Sequence, residues 1–187
     1  MSSSTNTEHE VRFLEIDVEK IKANLRAVGA VDYGEDMLQE VIFYNKELTW
    51  AKEGTLIRLR KQKGKTKLTY KKHHSLAVGG VEEIESGVDN FENVLAILEK
   101  TGIIAFRHQE KKRHTFTLGD ITFDIDTWPQ IPTYIEIEGP NEDALKSAAE
   151  KIGLDWKNVE HRDPATVIEG YGLKVKELHW FTFDRVE

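Results

Sequence analysis

The segment Glu8-His9-Glu10-Val11-Arg12-Phe13 decides how the rest of this 187-residue sequence is interpreted. Successive side chains of a β-strand point to opposite faces, so Glu8, Glu10 and Arg12 share one face and Val11 and Phe13 share the other. A half-buried strand usually has a mixed polar face, whereas here two carboxylates and a guanidinium stand in a row. Taken alone, the segment favours an ordinary edge strand with an exposed ion pair. Recurrence of the pattern along the chain would favour a functional face.

Composition predicts a globular protein with one substantial core, because 39% of the residues are hydrophobic and 32% are charged. We expect neither a membrane span nor a signal peptide, since no long apolar run occurs. The absence of cysteine excludes disulfides and thiolate metal sites and agrees with a cytoplasmic protein. The net charge of -7 argues against nucleic acid as a partner. Local basic clusters, at 58–72 and 107–113, instead favour a small anionic ligand.

Eight runs have the alternation and the β-branched or aromatic content of strands. They are 8–13, 38–44, 55–61, 66–72, 81–86, 106–118, 120–126 and 133–139. Helices are predicted after the capping residues Asp17, Asp89 and Asn141 and at Pro164, and a further strand-like run covers 179–183. Loops are predicted around Trp50 and at His73-His74.

The chain shows no linker or internal repeat, so we expect a single domain over 1–187. Within it, 1–7 is predicted to be a disordered tail, 8–153 the strands and helices of the main fold, and 154–187 a C-terminal extension packed on that fold. We expect a monomer or a homodimer.

Charged residues recur at alternate positions in most of these strand runs and alternate mainly with apolar ones, although Lys112 and His114 make the other face of 106–118 less apolar. The acids on this ionic face are Glu8, Glu10, Glu83, Glu85, Asp124, Asp126, Glu136 and Glu138, and the bases are Arg12, Arg58, Arg60, Lys67, Lys71, Lys111 and Arg113. Like charges two residues apart repel each other, so their recurrence favours a compensating ligand.

Two folds accommodate this pattern. One is an open sheet with a solvated charged face. The other is an α+β fold with a closed, eight-stranded antiparallel barrel, in which apolar side chains point outward under helices and ionic side chains line a tunnel. Arginine and lysine clusters suit a polyanion, and carboxylates without cysteine or paired histidine suit Mg²⁺ or Mn²⁺. The barrel interpretation therefore predicts a metal–polyphosphate ligand.

The pattern Glu8-x-Glu10-x-Arg12 resembles the ExExK signature of the CYTH, or triphosphate tunnel metalloenzyme, superfamily. The resemblance continues in order through Arg58-x-Arg60, Leu68-Thr69-Tyr70-Lys71, Glu83-Ile84-Glu85, Lys111-x-Arg113, Asp126 and Tyr134-Ile135-Glu136-Ile137-Glu138. It covers about residues 8–153. Two departures are Arg12 in place of lysine, which keeps the charge but cannot act as a titrating base near neutral pH, and the connection Trp128-Pro129 to Pro132 before the last acidic strand.

The resemblance implies roles for individual residues. Metal ligands would be Glu8, Glu10, Asp126, Glu136 and Glu138; the triphosphate would be bound by Arg58, Arg60, Lys71, Lys111 and Arg113, with Lys67 added by strand parity. Arg12, Lys71 and Asp126 are the predicted catalytic residues. Glu83, Glu85, Lys67 and Asp124 face the tunnel by parity, and for them a structural ion pair is an equally good interpretation.

The resemblance implies metal-dependent processing of a triphosphate. Our leading interpretation is hydrolysis of tripolyphosphate or of an organic triphosphate. Cyclisation of ATP to cyclic AMP and pyrophosphate, by a class IV-type adenylyl cyclase, uses the same residues and differs only in whether water or the ribose hydroxyl attacks. A binding module for polyphosphate or nucleotide, without catalysis, is the third alternative.

Overall fold

The structure of the protein is a computed structural model, and it describes residues 9–73 and 81–187. The predicted metal ligand Glu8 and the predicted loop residue His74 lie outside the described residues.

The chain alternates short helices with strands of very different lengths. The strands are β1 (His9–Phe13), β2 (Val31–Asn45), β3 (Thr55–Gln62), β4 (Lys65–His73), β5 (Val81–Val88), β6 (Ile103–Leu118), β7 (Ile121–Thr127), β8 (Tyr134–Gly139) and β9 (Trp180–Phe181). The helices are α1 (Val18–Ala27), α2 (Thr49–Lys52), α3 (Phe91–Lys100), α4 (Glu142–Lys151) and α5 (Pro164–Gly170), with 3₁₀ turns at Trp156–Asn158 and Val175–Glu177.

All of these strands belong to one hydrogen-bonded sheet with the order β1-β8-β7-β6-β2-β3-β4-β5. Pairs such as β1–β8, β3–β4 and β6–β7 are antiparallel. The short strand β9 is parallel to β6. The predicted α+β class, with an antiparallel sheet and helices packed around it, is confirmed. Each of the eight predicted strands is present, and β9 is a ninth.

Turns and caps account for most strand and helix boundaries. Lys63 and Gly64, with φ of 49° and 71°, form the two-residue turn between β3 and β4, a conformation that twists in the same sense as the paired strands. The carboxylate of Asp17 accepts from the N–H of Lys20 and begins α1, as predicted. For α3 the prediction was wrong by one residue, because the cap is Asn90 and not Asp89.

Two further differences from prediction concern the region before β3. The predicted loop around Trp50 contains the helical turn α2. Strand β2 begins at Val31, seven residues before the predicted start at Leu38, because hydrogen bonding continues through a polar stretch that includes Gly34. The alternation of Val31, Tyr33 and Met37 is interrupted there by Glu35, and Gly34 disfavours a strand, so the stretch was not predicted as one.

The chain divides into two compact units, and the boundary falls within β2 and β6. The first unit comprises Met1–Asp36 and Lys112–Lys176, and the second comprises Met37–Lys111 and Glu177–Glu187. Each unit has its own apolar cluster and its own ionic cluster.

In the first unit, the apolar faces of β1, β7 and β8 pack against α1 and α4. The buried side chains include Val11, Phe13, Ile125, Leu25 and Leu145. Trp156, in the predicted C-terminal extension, contacts this cluster with its ring centroid 6.1 Å from that of Phe13. The alternation read from Val11 and Phe13 therefore identifies the core face of β1 correctly.

In the second unit, Val41, Phe43 and Leu59 form the buried apolar cluster of β2 and β3. The apolar residues of α3, among them Phe91 and Leu95, pack against it. Arg58 and Arg60, which alternate with Leu59, consequently lie on the face of β3 away from α3. No helix within the described ranges is both long enough and apolar enough to cross a bilayer.

Truncation of Leu59 to alanine should destabilise the protein by about 2–5 kcal/mol, because it leaves a cavity beneath α3. Ile57 is only partly buried in the same cluster, so Ile57→Ala should cost less. The matched control is Ile84→Ala, since Ile84 on β5 is 61% exposed and its truncation should change stability by less than about 0.5 kcal/mol. Equal urea midpoints for the Leu59→Ala and Ile84→Ala variants would contradict this assignment of the core face.

Candidate active site

Arg12 is the central cation of the first unit and is almost completely buried, at 2% exposure. Its Nη2 lies 2.7 Å from Glu10 Oε1 and 2.6 Å from Glu136 Oε2, and its Nη1 donates to the carbonyl of Arg162 at 2.9 Å. Burial alone would lower the pKa of Arg12, but the carboxylates of Glu136 and Glu10 outweigh it and raise the pKa. Arg12 is therefore a permanent cation and not a proton acceptor.

Arg113 on β6 is surrounded by three carboxylates of β7 and β8. It donates to both oxygens of Asp126 at 2.6 Å, and it also lies 2.6 Å from Asp124 and 3.2 Å from Glu136. Burial raises the pKa of Asp124, against the opposing charge of Arg113. In the sequence interpretation Arg113 binds phosphate; within the first unit its observed partners are acids. Its phosphate-binding role stays a prediction.

Glu10 and Glu138 form a like-charged pair in the same unit. They are directly opposite each other in the register of β1 and β8. Directly opposed carboxylates in an antiparallel pair have Cβ atoms about 5 Å apart and destabilise the sheet unless a cation compensates them. Glu10 is also the more accessible acid, with 47% of its side chain exposed.

The second unit contains a buried acid that the sequence pattern did not indicate. Glu40 on β2 is 4% exposed and accepts from Nε of Arg60, its register partner on β3. Its other oxygen accepts from Gln109 Nε2 at 2.5 Å, and Gln109 in turn accepts from Arg107 Nε at 2.8 Å. The signal in the sequence is one acid within the predominantly apolar run 38–44, in which Gln39 is the other clearly polar residue.

Arg58 is a cation of the second unit whose charge is only weakly compensated by carboxylates. Its Nε is buried and has no hydrogen-bond partner among the described residues. The nearest carboxylate, Glu83, lies 3.5 Å from Nη2. Burial and the like charge of Arg60 lower the pKa of Arg58, against the attraction of Glu40, Glu83 and Glu85. A buried guanidinium with an unfilled donor is a favourable site for an anion.

The edge of this cluster is formed by β4 and β5. Lys71 Nζ lies 3.5 Å from Glu83 and Lys67 Nζ lies 2.5 Å from Glu85. Lys67 is 53% exposed along its side chain. Glu83 and Glu85 thus form ion pairs, which is one of the two roles that the sequence left open for them. Lys111 is 5% exposed and lies deeper in the same unit.

The two units differ in the sign of their excess charge. In the first, Glu10, Asp124, Asp126, Glu136 and Glu138 outnumber Arg12 and Arg113. In the second, Arg58, Arg60, Lys67, Lys71 and Lys111 outnumber Glu40, Glu83 and Glu85. All the predicted site residues that the structure describes belong to these two clusters.

The donor chemistry of the first unit fits a hard divalent cation, because every candidate ligand is a carboxylate oxygen. In the described arrangement, however, Asp126, Asp124 and Glu136 are occupied by arginine. No group of three or more acidic or histidine side chains within 9–73 and 81–187 is arranged to hold a metal ion. Glu10 likewise has a cationic partner, since Arg12 lies 2.7 Å from it, so the metal-ligand role of Glu10 and Glu138 stays a prediction.

Tyr134 and Trp128 are additional buried residues near the acids. Tyr134 is the register partner of Asp126, and its hydroxyl accepts from the indole N–H of Trp128 at 2.9 Å. Burial raises the pKa of Tyr134, with the charges of Asp126 and Glu136 adding to the effect. Trp128 is 5% exposed, so its side chain is packed in the protein interior.

Solved structures share this fold at low sequence identity. PH1012 from Pyrococcus horikoshii OT3 superposes with a TM-score of 0.68 at 23% identity, over 83% of this chain and 96% of that one. A Vibrio parahaemolyticus protein described as a candidate adenylate cyclase has a TM-score of 0.75 at 14% identity, over 88% and 98% of the two chains.

HpAC1 from Hippeastrum, a suggested adenylyl cyclase described as having a dominant triphosphatase activity, has a TM-score of 0.63 at 15% identity, over 87% of this chain and 95% of its own. No curated protein matches the sequence.

The family model of the CYTH domain matches residues 6–171. The match includes both ionic clusters and extends beyond residue 153, where the recognisable motifs end. It thus takes in Trp156 and the segment that contacts Arg12. This chain belongs to the CYTH domain family.

Proposed function

We propose that this protein is a divalent-metal-dependent triphosphatase that hydrolyses tripolyphosphate or an organic triphosphate. The observation that carries the proposal is Arg58, a buried guanidinium that has a like-charged neighbour, Arg60, and a buried Nε without a hydrogen-bond partner in the described part of the chain. Such a group is stabilised by an anion with several oxygen acceptors, which a phosphate chain supplies.

In the proposed reaction, Arg58, Arg60, Lys71 and Lys111 bind phosphoryl oxygens and stabilise the charge that develops on them. Water attacks the terminal phosphorus, and the bond to the leaving phosphate oxygen breaks. Positioned cations accelerate this reaction because they act where charge is greatest in the transition state. Arg12 contributes a fixed positive charge that holds Glu10 and Glu136.

A metal ion would be held by Glu10, Glu136 and Glu138, with Glu8 added from the sequence pattern. When bound, a divalent cation supplies Lewis-acid polarisation of phosphoryl oxygen. The register of β1 and β8 supports this assignment, because it brings the carboxylate side chains of Glu10 and Glu138 to one point of the sheet.

Cyclisation of ATP is the second candidate activity. The observation that favours it is the fold shared with the Vibrio parahaemolyticus protein described as a candidate adenylate cyclase. Product analysis with ATP, thiamine triphosphate and tripolyphosphate in Mg²⁺ and in Mn²⁺ tests both activities. Release of orthophosphate supports hydrolysis, cyclic AMP with pyrophosphate supports cyclisation, and binding without turnover supports a binding module.

Replacement of Arg58 with alanine should weaken tripolyphosphate binding by about 2–5 kcal/mol, because it removes a desolvated charge-assisted contact. The urea midpoint of the ligand-free protein should stay the same or rise, since repulsion with Arg60 is relieved. Isothermal titration and urea unfolding measure the two quantities. The matched control is Lys61→Ala, an exposed base of the same strand on the opposite face. Equal affinity in the Arg58→Ala and Lys61→Ala variants would remove the basis for the anion site.

Tripolyphosphate should stabilise the wild-type protein against thermal unfolding. At a ligand concentration of a hundred times Kd, the expected gain is about 2.7 kcal/mol. Differential scanning calorimetry with and without ligand measures it. No shift at millimolar ligand, with or without metal, would count against a triphosphate site, and a shift without turnover would favour the binding module.

Glu10→Gln should abolish turnover in Mg²⁺ or Mn²⁺ and leave the fold intact, because it removes one of the two opposed carboxylates while keeping their shape. Glu19→Gln provides the control, since Glu19 lies on α1 with 85% of its side chain exposed. Metal titrations of activity and circular dichroism of both variants give the comparison. Wild-type metal dependence in the Glu10→Gln variant would show that Glu10 is not a ligand.

A further inference from the structure

Glu40 divides its carboxylate between two elements of the second unit. Oε1 accepts from Arg60 Nε on β3, and Oε2 accepts from Gln109 Nε2 on β6 at 2.5 Å. Gln109 is itself held, because its carbonyl oxygen accepts from Arg107 Nε at 2.8 Å. Glu40, Gln109 and Arg107 are each at least nine-tenths buried, so this hydrogen-bonded chain is well shielded from solvent.

The charge on Glu40 is stable despite its burial. Burial raises the pKa of the carboxyl, but the charges of Arg60, Arg58 and Lys111 and the hydrogen bond from Gln109 outweigh it and hold the pKa well below its usual range. Glu40 is thus ionised at neutral pH. It is the fully buried acid among bases that would otherwise repel one another.

The geometry leaves the outer part of the Arg60 guanidinium available for another role. Glu40 engages Nε, which is only one of the five N–H donors of arginine. The Nη groups, which make the bidentate contacts with phosphate in general, are not needed for this bond. A carboxylate on Nε fixes the plane of the guanidinium and so determines where those donors point.

We propose that Glu40 is a positioning residue for phosphate, orienting Arg60 through Nε and offsetting the repulsion among Arg58, Arg60 and Lys111 when no ligand is bound. The inference rests on the proposed triphosphate function. A positioning role for Glu40 makes predictions that a purely structural role does not. Loss of the negative charge of Glu40 should favour phosphate binding, whereas loss of the orientation of Arg60 should slow turnover.

Glu40→Gln removes the charge and keeps the size of the side chain. The cluster becomes more positive, so the Kd for tripolyphosphate should stay the same or decrease. The amide replaces one acceptor oxygen with an N–H donor, so the contact with either Arg60 Nε or Gln109 Nε2 is lost. The less firmly held guanidinium should lower kcat by about 10- to 100-fold, since small displacements of catalytic groups have effects of that size. Tight binding with slow turnover is the expected signature.

Glu40→Asp separates the effect of the negative charge from the effect of side-chain length. It keeps the carboxylate but shortens it by one methylene, so it should retain wild-type affinity for tripolyphosphate and still lose turnover. The matched control is Glu110→Gln. It is the same glutamate-to-glutamine substitution as Glu40→Gln, made at the residue that follows Gln109. Glu110 lies on the other face of β6 and accepts from Gln39 Nε2 at 3.2 Å. Its kcat and Kd should equal those of the wild type.

The experiment measures kcat, the Kd for tripolyphosphate and the melting temperature for the wild type and these variants. If the Glu40→Gln variant does not fold, Gln109→Met removes the second contact of the same carboxylate and should show the same signature in weaker form. Wild-type kcat in both Glu40 variants, or a fall in melting temperature with unchanged kcat per folded molecule, would overturn the inference. A wild-type protein that neither binds nor hydrolyses tripolyphosphate would overturn the proposed function, and the inference with it.

Discussion

The two-residue repeat of the β-strand is the constraint on which the rest of this structure depends. Because alternate side chains share a face, β1 must place Arg12 on the face opposite to Val11 and Phe13 in the first unit. In the second unit, β3 must place Arg58 and Arg60 on the face opposite to Leu59. A change of strand register by one residue would not separate these charges. It would exchange the two faces, so that the apolar side chains would take the place of the charged ones. The ionic clusters are therefore a consequence of the same alternation that forms the core.

Buried charge in this protein is neutralised locally, but not evenly. In the first unit Arg12 and Arg113 each lie within 2.7 Å of two carboxylates, whereas the ion pair of Arg58 in the second unit, with Glu83, is 3.5 Å long. A buried Nε without a hydrogen-bond partner among the described residues occurs in both Arg12 and Arg58. Desolvation of an unpaired ion is costly, so an incompletely paired guanidinium favours an external anion. This difference in ion pairing favours ligand binding by the ionic cluster of the second unit. In the first unit the ion pairs chiefly hold the residues of the cluster in place.

Much of the fold and part of the site could be predicted from the sequence, because both follow from alternation and capping. Alternation predicts the strand runs and their ionic faces. Capping residues predict the starts of helices, as at Asp17 and Asn141. Glu40 could not be predicted, since its partners come from β3 and β6 and no other charged residue stands in its own run, 38–44. For the same reason the pairing of Arg113 with Asp124, Asp126 and Glu136 was not foreseen: alternation fixes the face of a side chain but not which opposite charge it meets there.

The contacts of β1 have a consequence for how the chain folds during synthesis. β1 hydrogen-bonds to β8, and Arg12 exchanges backbone hydrogen bonds with Glu160 and donates its side chain to Arg162, which is 150 residues away. Such non-local contacts require the closure of a very long loop and are associated with slow folding. Arg12 therefore leaves the ribosome 150 residues before its partner Arg162 has been synthesised. Val11 and Phe13 stay unburied through that interval, which makes this segment a natural point of contact for a chaperone.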